Sequence, residues 1–188
     1  MRILGLSGSL REDSLNTRLL AGARSLLPSG AELVVFEGLA AVPYYSEDDE
    51  LPTPAAVADL ASAVAEANAV LIATPEYNGS IPGHLKNALD WISRPEPGDR
   101  PLEVFRGKVA AILSASPGPG AGKRGLRHLR ELLEMMQVHV IPQELSIAKS
   151  TDGLDAEGRP TRPEDQAALR ELASALGAAT LRKAATAA

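Results

Sequence analysis

The chain has no cysteine. That excludes disulfides, thiolate catalysis and zinc–thiolate sites. It also lacks a positive balance: the formal net charge is −5 over 188 residues. Nothing in that charge favours a polyanion, so no nucleic-acid partner is expected. No apolar run approaches the roughly 20 residues of a membrane span, and Met1-Arg2-Ile3-Leu4 has no signal-peptide layout, so a protein of the cytoplasm, off the membrane, is expected. His84, His128 and His139 show no ligand spacing, so no metal site is expected either.

What is present is an ordinary globular composition, 45% hydrophobic. At about 150 residues per domain, the length suits a single domain spanning residues 1–188. A chain of this size buries roughly 70% of its unfolded surface, enough for a real core. Apolar runs alternate with amphipathic stretches. Strands are expected at Ile3–Leu6, Glu32–Phe36, Ala69–Ala73, Val109–Ser114 and Val138–Ile141, with Leu145–Ile147 extending the last. Helices are expected at 15–27, from Thr53 as N-cap to about 68, at 83–93 with Pro95 as the stop, at 122–137, and from Pro163 to about 181. Residues 37–52, 95–107 and 148–162 read as loops, and the tail 182–188 as frayed. Glu47-Asp48-Asp49-Glu50 reads as a solvated acidic loop. Strand–helix alternation means parallel βαβ units with right-handed crossovers, an α/β fold.

In such sheets ligands bind beyond the carboxyl ends of the strands. Three loops with binding character leave those ends, at 7–16, 74–82 and 114–122. The first runs Gly8-Ser9-Leu10-Arg11-Glu12-Asp13-Ser14-Leu15-Asn16 and opens a helix. Unpaired N–H groups and the helix dipole favour an anion there. Ser9, Ser14, Asn16 and Arg11 add hydroxyls, an amide and a cation. Taken singly, Ser14 or Asn16 also suits an ordinary helix cap, and Arg11 a solvated surface charge. The spacing is neither that of a Walker loop nor Gly-x-Gly-x-x-Gly, which leaves a terminal phosphate monoester as the fitting anion. In the second loop Pro75 stiffens the turn, so that Glu76, Tyr77 and Asn78 are expected to offer backbone N–H groups outward.

Gly8-Ser9-Leu10-Arg11, with Ser14 and Asn16, resembles the first signature of the NADPH-dependent FMN reductase family. Thr74-Pro75-Glu76-Tyr77-Asn78-Gly79-Ser80-Ile81-Pro82-Gly83 resembles its second, continuing through Leu85-Lys86-Asn87-Ala88-Leu89-Asp90-Trp91 to Ser93-Arg94-Pro95. The likeness extends from residue 1 to about 148. It implies a flavodoxin-like doubly wound five-stranded parallel sheet, order 2-1-3-4-5, with helices on both faces. It implies that Ser9, Arg11, Ser14, Asn16 and Thr17 surround the phosphate of a non-covalent FMN. Pro75, Glu76, Tyr77 and Asn78 would line its ring, and Ser116 would close on the other edge. Gly118, Gly120 and Gly122 match the family's third loop in part, without its glycine pair.

The same resemblance implies an enzyme: an FMN oxidoreductase taking electrons from NADPH or NADH and passing them to a quinone, azo compound, metal oxyanion or free flavin. No side chain need act as acid or base, because the cofactor carries the chemistry. A homodimer or homotetramer is implied as well. The rival readings are a flavodoxin-like electron carrier and a flavin-binding regulator without turnover. Carriers hold the flavin between aromatic residues, and only 3% of this chain is aromatic.

Overall fold

A computed structural model describes residues 1–94 and 104–187. In chain order the elements are β1 (Arg2–Ser7), α1 (Leu15–Ala23), β2 (Glu32–Phe36), α2 (Ala55–Glu66) and β3 (Ala69–Ala73). Then come α3 (Gly83–Trp91), β4 (Val109–Ala115), α4 (Lys123–Met135), β5 (His139–Ile147) and α5 (Pro163–Ala187). The strands form one sheet in the order β2-β1-β3-β4-β5, every neighbouring pair parallel. This is the flavodoxin-like arrangement expected from the sequence.

β3 lies at the centre and is buried along its whole length. Successive side chains of a strand point to opposite faces. Val70 and Ile72 accordingly join the core beneath α2, α3 and α4. Ala69, Leu71 and Ala73 join the second core, beneath α1 and α5. A strand buried on both faces has no polar alternation, which is why the run Ala-Val-Leu-Ile-Ala is uniformly apolar.

Several boundaries differ from expectation for local reasons. The first helix ends at Ala23 and tightens into a 3-10 turn, Arg24–Leu26. Loop 37–52 contains two further 3-10 turns, Gly38–Ala41 and Glu47–Asp49. The N-cap of α2 is Pro54, not Thr53; the Thr53 hydroxyl turns back to donate to the Glu50 carbonyl at 3.3 Å. The last strand is continuous and bulged: Ala110 pairs with Val140 and Ile112 with Glu144. Pro142, which has no N–H to give, sits in that irregularity on an edge strand. α5 is helical from Pro163 to Ala187, in an alanine-rich sequence with no later proline to stop it. Of the expected loop 95–107 and its stop at Pro95, residues 95–103 lie outside the described residues.

Candidate active site

The loop after β1 is held from three directions. Gly8 N–H donates to the Ala73 carbonyl at 2.7 Å. A Cβ at Gly8 would lie 2.4 Å from Thr74 Oγ1, so no larger residue fits where the two strand ends meet. The hydroxyls of Ser7 and Thr17 are hydrogen-bonded at 2.7 Å. Asn16 is buried, and both ends of its amide are committed: Nδ2 donates to the Ala115 carbonyl at 3.0 Å, and Oδ1 accepts from Ala115 N–H at 2.9 Å. Asn16 thus clips this loop to the end of β4.

Ser14 caps α1, its Oγ accepting from Thr17 N–H at 3.2 Å. The N–H groups of Leu15 and Asn16, in the first turn, are left for a ligand. The buried Ser9 hydroxyl accepts from Arg11 N–H at 3.4 Å and keeps its own hydrogen to give. The Arg11 guanidinium is exposed and has no partner among the described residues. The donors left here include the Leu15 and Asn16 N–H groups, the Ser9 and Ser14 hydroxyls and the Arg11 cation, a set suited to a phosphate monoester.

After β3 the chain makes a tight hairpin turn. Asn78 and Gly79 both adopt positive φ, 52° and 80°, the backbone that an Asn-Gly pair favours. Tyr77 N–H donates to the Ser80 carbonyl at 2.9 Å, and Ser80 N–H returns the bond at 3.0 Å. Of the three N–H groups expected to face outward, that of Tyr77 is therefore consumed by the turn. The Tyr77 ring is 46% exposed. Glu76 reaches across to α4, where its carboxylate accepts from Arg124 Nε at 2.8 Å, Arg124 N–H at 3.0 Å and Gly125 N–H at 3.4 Å. Burial raises the Glu76 carboxyl, but the hydrogen bonds from Arg124 and Gly125 outweigh it and hold the group below its usual range.

In the third loop Ser116 N–H donates to the Ile147 carbonyl at 3.0 Å, and its Oγ accepts from Gly118 N–H at 3.2 Å. The turn into α4 passes through Gly122, at φ 75°; a Cβ there would meet Ser114 Oγ at 2.0 Å. The three loops surround one open cavity of about 230 Å³. Ser9, Arg11, Ser14, Asn16, Pro75, Glu76, Tyr77 and Ser116 line it, with Leu15, Ala115 and Pro117. Thr17 and Asn78 are not in the lining: the Thr17 hydroxyl is bonded to that of Ser7, and Asn78 is exposed in the hairpin turn. Sequence reasoning missed the Ala115 backbone and the Glu76–Arg124 contact; neither has a local signal.

Beside the site, the loop before α2 is fastened to α3. Asn87 Nδ2 and Trp91 Nε1 both donate to the Pro43 carbonyl at 2.8 Å, and Asn87 Oδ1 accepts from Tyr45 N–H at 2.8 Å. Trp91 is fully buried, edge-on to the Tyr45 ring at 5.0 Å. Arg94 pairs with Glu50 at 3.0 Å and Glu47 at 3.2 Å. The acidic run is therefore partly a structural clamp rather than a wholly solvated loop.

The model for NADPH-dependent FMN reductases matches residues 1–152. An NAD(P)H-dependent FMN reductase of Pseudomonas aeruginosa is 41% identical over 161 residues, 85% of this chain and 84% of that protein. A quinone reductase of Escherichia coli K12 is 37% identical over 143 residues, 75% of this chain and 73% of that one. A flavoenzyme NAD(P)H:(acceptor) oxidoreductase from Paracoccus denitrificans superposes with a TM-score of 0.86 at 28% identity, covering 97% and 98% of the two chains. The chain belongs to the NADPH-dependent FMN reductase family and is an oxidoreductase enzyme.

Proposed function

We propose that the cavity binds FMN and that the protein passes electrons from NADPH or NADH to a small-molecule acceptor, of the quinone, azo, metal-oxyanion or free-flavin class. The observation that carries this reading is the convergence of the three loops on one cavity lined, on the side of the first loop, by the Ser9 and Ser14 hydroxyls and Arg11. Ser9, Arg11, Ser14 and the N–H groups of Leu15 and Asn16 would hold the phosphate. Pro75, Glu76, Tyr77 and Ser116 would border the ring. Bound FMN would supply hydride acceptance and onward electron transfer, chemistry that no side chain here provides.

The chain's contribution is positional. Asn16 holds the first loop against the end of β4. Glu76 holds the second loop against α4. At about 230 Å³ the cavity is smaller than the roughly 300–1,000 Å³ that encloses a drug-sized ligand. Part of the cofactor would stay open to solvent, where donor and acceptor can use the same face in turn. A cytoplasmic setting, where NAD(P)H is available, and a homodimer or homotetramer complete the proposal; light scattering tests the assembly. The activity test mixes FMN-loaded protein with NADPH and a quinone. Flavin-dependent NADPH oxidation with parallel double-reciprocal lines is expected. No oxidation would leave the electron-carrier reading in its place.

A further inference from the structure

Among the residues that line the cavity Glu76 is the one acid. A carboxylate is an unfavourable neighbour for a group that takes up electrons. Accepting a hydride from a nicotinamide adds two electrons and one proton to a flavin ring. The ring gains one negative charge as the oxidised nicotinamide leaves, and a bare carboxylate beside it would oppose that gain. Glu76 is ionised at neutral pH, since its hydrogen bonds hold it below its usual range.

The answering charge comes from α4. The first turn of that helix carries no acid, and its N-cap, Gly122, has no side chain to offer. Glu76 supplies the missing carboxylate at the positive end of the helix dipole. Its Oε2 accepts from the N–H groups of Arg124 at 3.0 Å and Gly125 at 3.4 Å, and its Oε1 from Arg124 Nε at 2.8 Å. Gly125 lets the hairpin come this close: a Cβ there would stand 3.2 Å from the Ser80 carbonyl oxygen and 3.3 Å from Glu76 Cβ. His128 Nδ1, 3.2 Å from Ser80 Oγ, ties the same hairpin to the helix. The hairpin is thus placed largely by backbone donors and His128. Arg124 is the cation paired with the carboxylate, and it is not itself in the cavity lining.

Resting on the FMN reading above, we infer that Arg124 sets how well the site holds reduced FMN, by cancelling the charge of Glu76 beside the ring. Arg124 is a positioning residue: it acts through Glu76 and fixes where charge stands at the cavity wall. Its role is separable from shape, because two backbone bonds to Glu76 survive loss of the guanidinium. The Arg124 side chain is 74% exposed, so solvent and salt screen the effect, which is largest at low ionic strength.

The test loads the full chain with FMN and measures the midpoint potential against a reference dye at low salt. The dissociation constant of oxidised FMN is measured first. Arg124→Ala should weaken reduced FMN relative to oxidised FMN by about tenfold, which for a two-electron couple lowers the potential by about 30 mV. Oxidised FMN should stay within about threefold of the parent, because the backbone bonds to Glu76 remain. Arg124→Lys should restore most of the parent potential. Glu76→Gln should raise the potential. Glu76→Gln/Arg124→Ala should return it close to the parent's, since the two charges cancel in the parent and are both gone in the double variant. An unchanged potential in Arg124→Ala, or a double variant as low as that single one, would overturn the inference. Equal losses of oxidised and reduced FMN, the mark of a purely structural role, would overturn it too. A parent protein that takes up no FMN would instead sink the proposed function, and the first measurement tells the two failures apart.

Discussion

Asn16→Ala should destabilise the protein before any cofactor is added. In the sequence this residue reads as a phosphate contact; in the fold its amide is spent on Ala115. The substitution removes one donor and one acceptor, at 3.0 and 2.9 Å, and leaves Ala115 N–H and C=O without partners. A buried polar group left unsatisfied costs about 1–3 kcal/mol, so two give roughly 2–6 kcal/mol. Ala115 lines the cavity, where water can replace part of the loss, which lowers the expectation to about 2–4 kcal/mol. At roughly 2–4 °C per kcal/mol for a chain of this size, Tm should fall by about 4–16 °C. Asn16→Asp should do no better, because it sets a carboxylate oxygen against the Ala115 carbonyl. The assay is urea unfolding of cofactor-free protein followed by the fluorescence of Trp91, the one tryptophan, which is fully buried. A shift below about 1 kcal/mol with unchanged m-value, accompanied by a large loss of FMN affinity, would refute the clip and return Asn16 to the role of a direct ligand.

Glu76 is held below its ordinary value of 4.5 despite its burial, by hydrogen bonds from Arg124 and Gly125. Its stabilisation is complete above that value and is lost as pH falls through the lowered folded value, so the urea midpoints of parent and Glu76→Gln should converge between about pH 6 and pH 3. A constant gap across that range would contradict the assignment. Gly158→Ala should cost at least about 3 kcal/mol, or abolish folding, since the residue sits at φ 79° with a Cβ position 1.8 Å from the Arg18 carbonyl oxygen. A near-native urea midpoint for that variant would show that the loop does not press on α1 as described.

The sheet was legible because its signal is local. β3 is a buried apolar run, and its position in a strand–helix alternation leaves few topologies. The Asn78-Gly79 dipeptide favours positive φ, so a turn there was legible in principle, though only Pro75 was read as shaping this loop. What the turn does with its neighbours was not legible: pairing Tyr77 with Ser80 removes an N–H that the loop alone seemed to offer. The Asn16–Ala115 clip joins residues 99 apart, and Glu76 meets Arg124 across 48. No spacing rule reaches such contacts, because they depend on which loops the sheet order brings together. The sequence placed Ser9, Ser14, Arg11 and Asn16 in one loop; the fold adds that Asn16 and Thr17 use their side chains to hold that loop in place.

The central claim is that the loop after β1 grips a phosphate and that Arg11 contributes charge to that grip. It is tested most directly by titrating cofactor-free protein, parent and Arg11→Ala, with FMN and with riboflavin, which lacks the phosphate. The parent should bind FMN far more tightly than riboflavin. Arg11→Ala should weaken FMN by about tenfold, the scale of one charge-assisted hydrogen bond, and leave riboflavin within about twofold. Equal losses for both flavins, or a parent protein that does not distinguish them, would contradict the account.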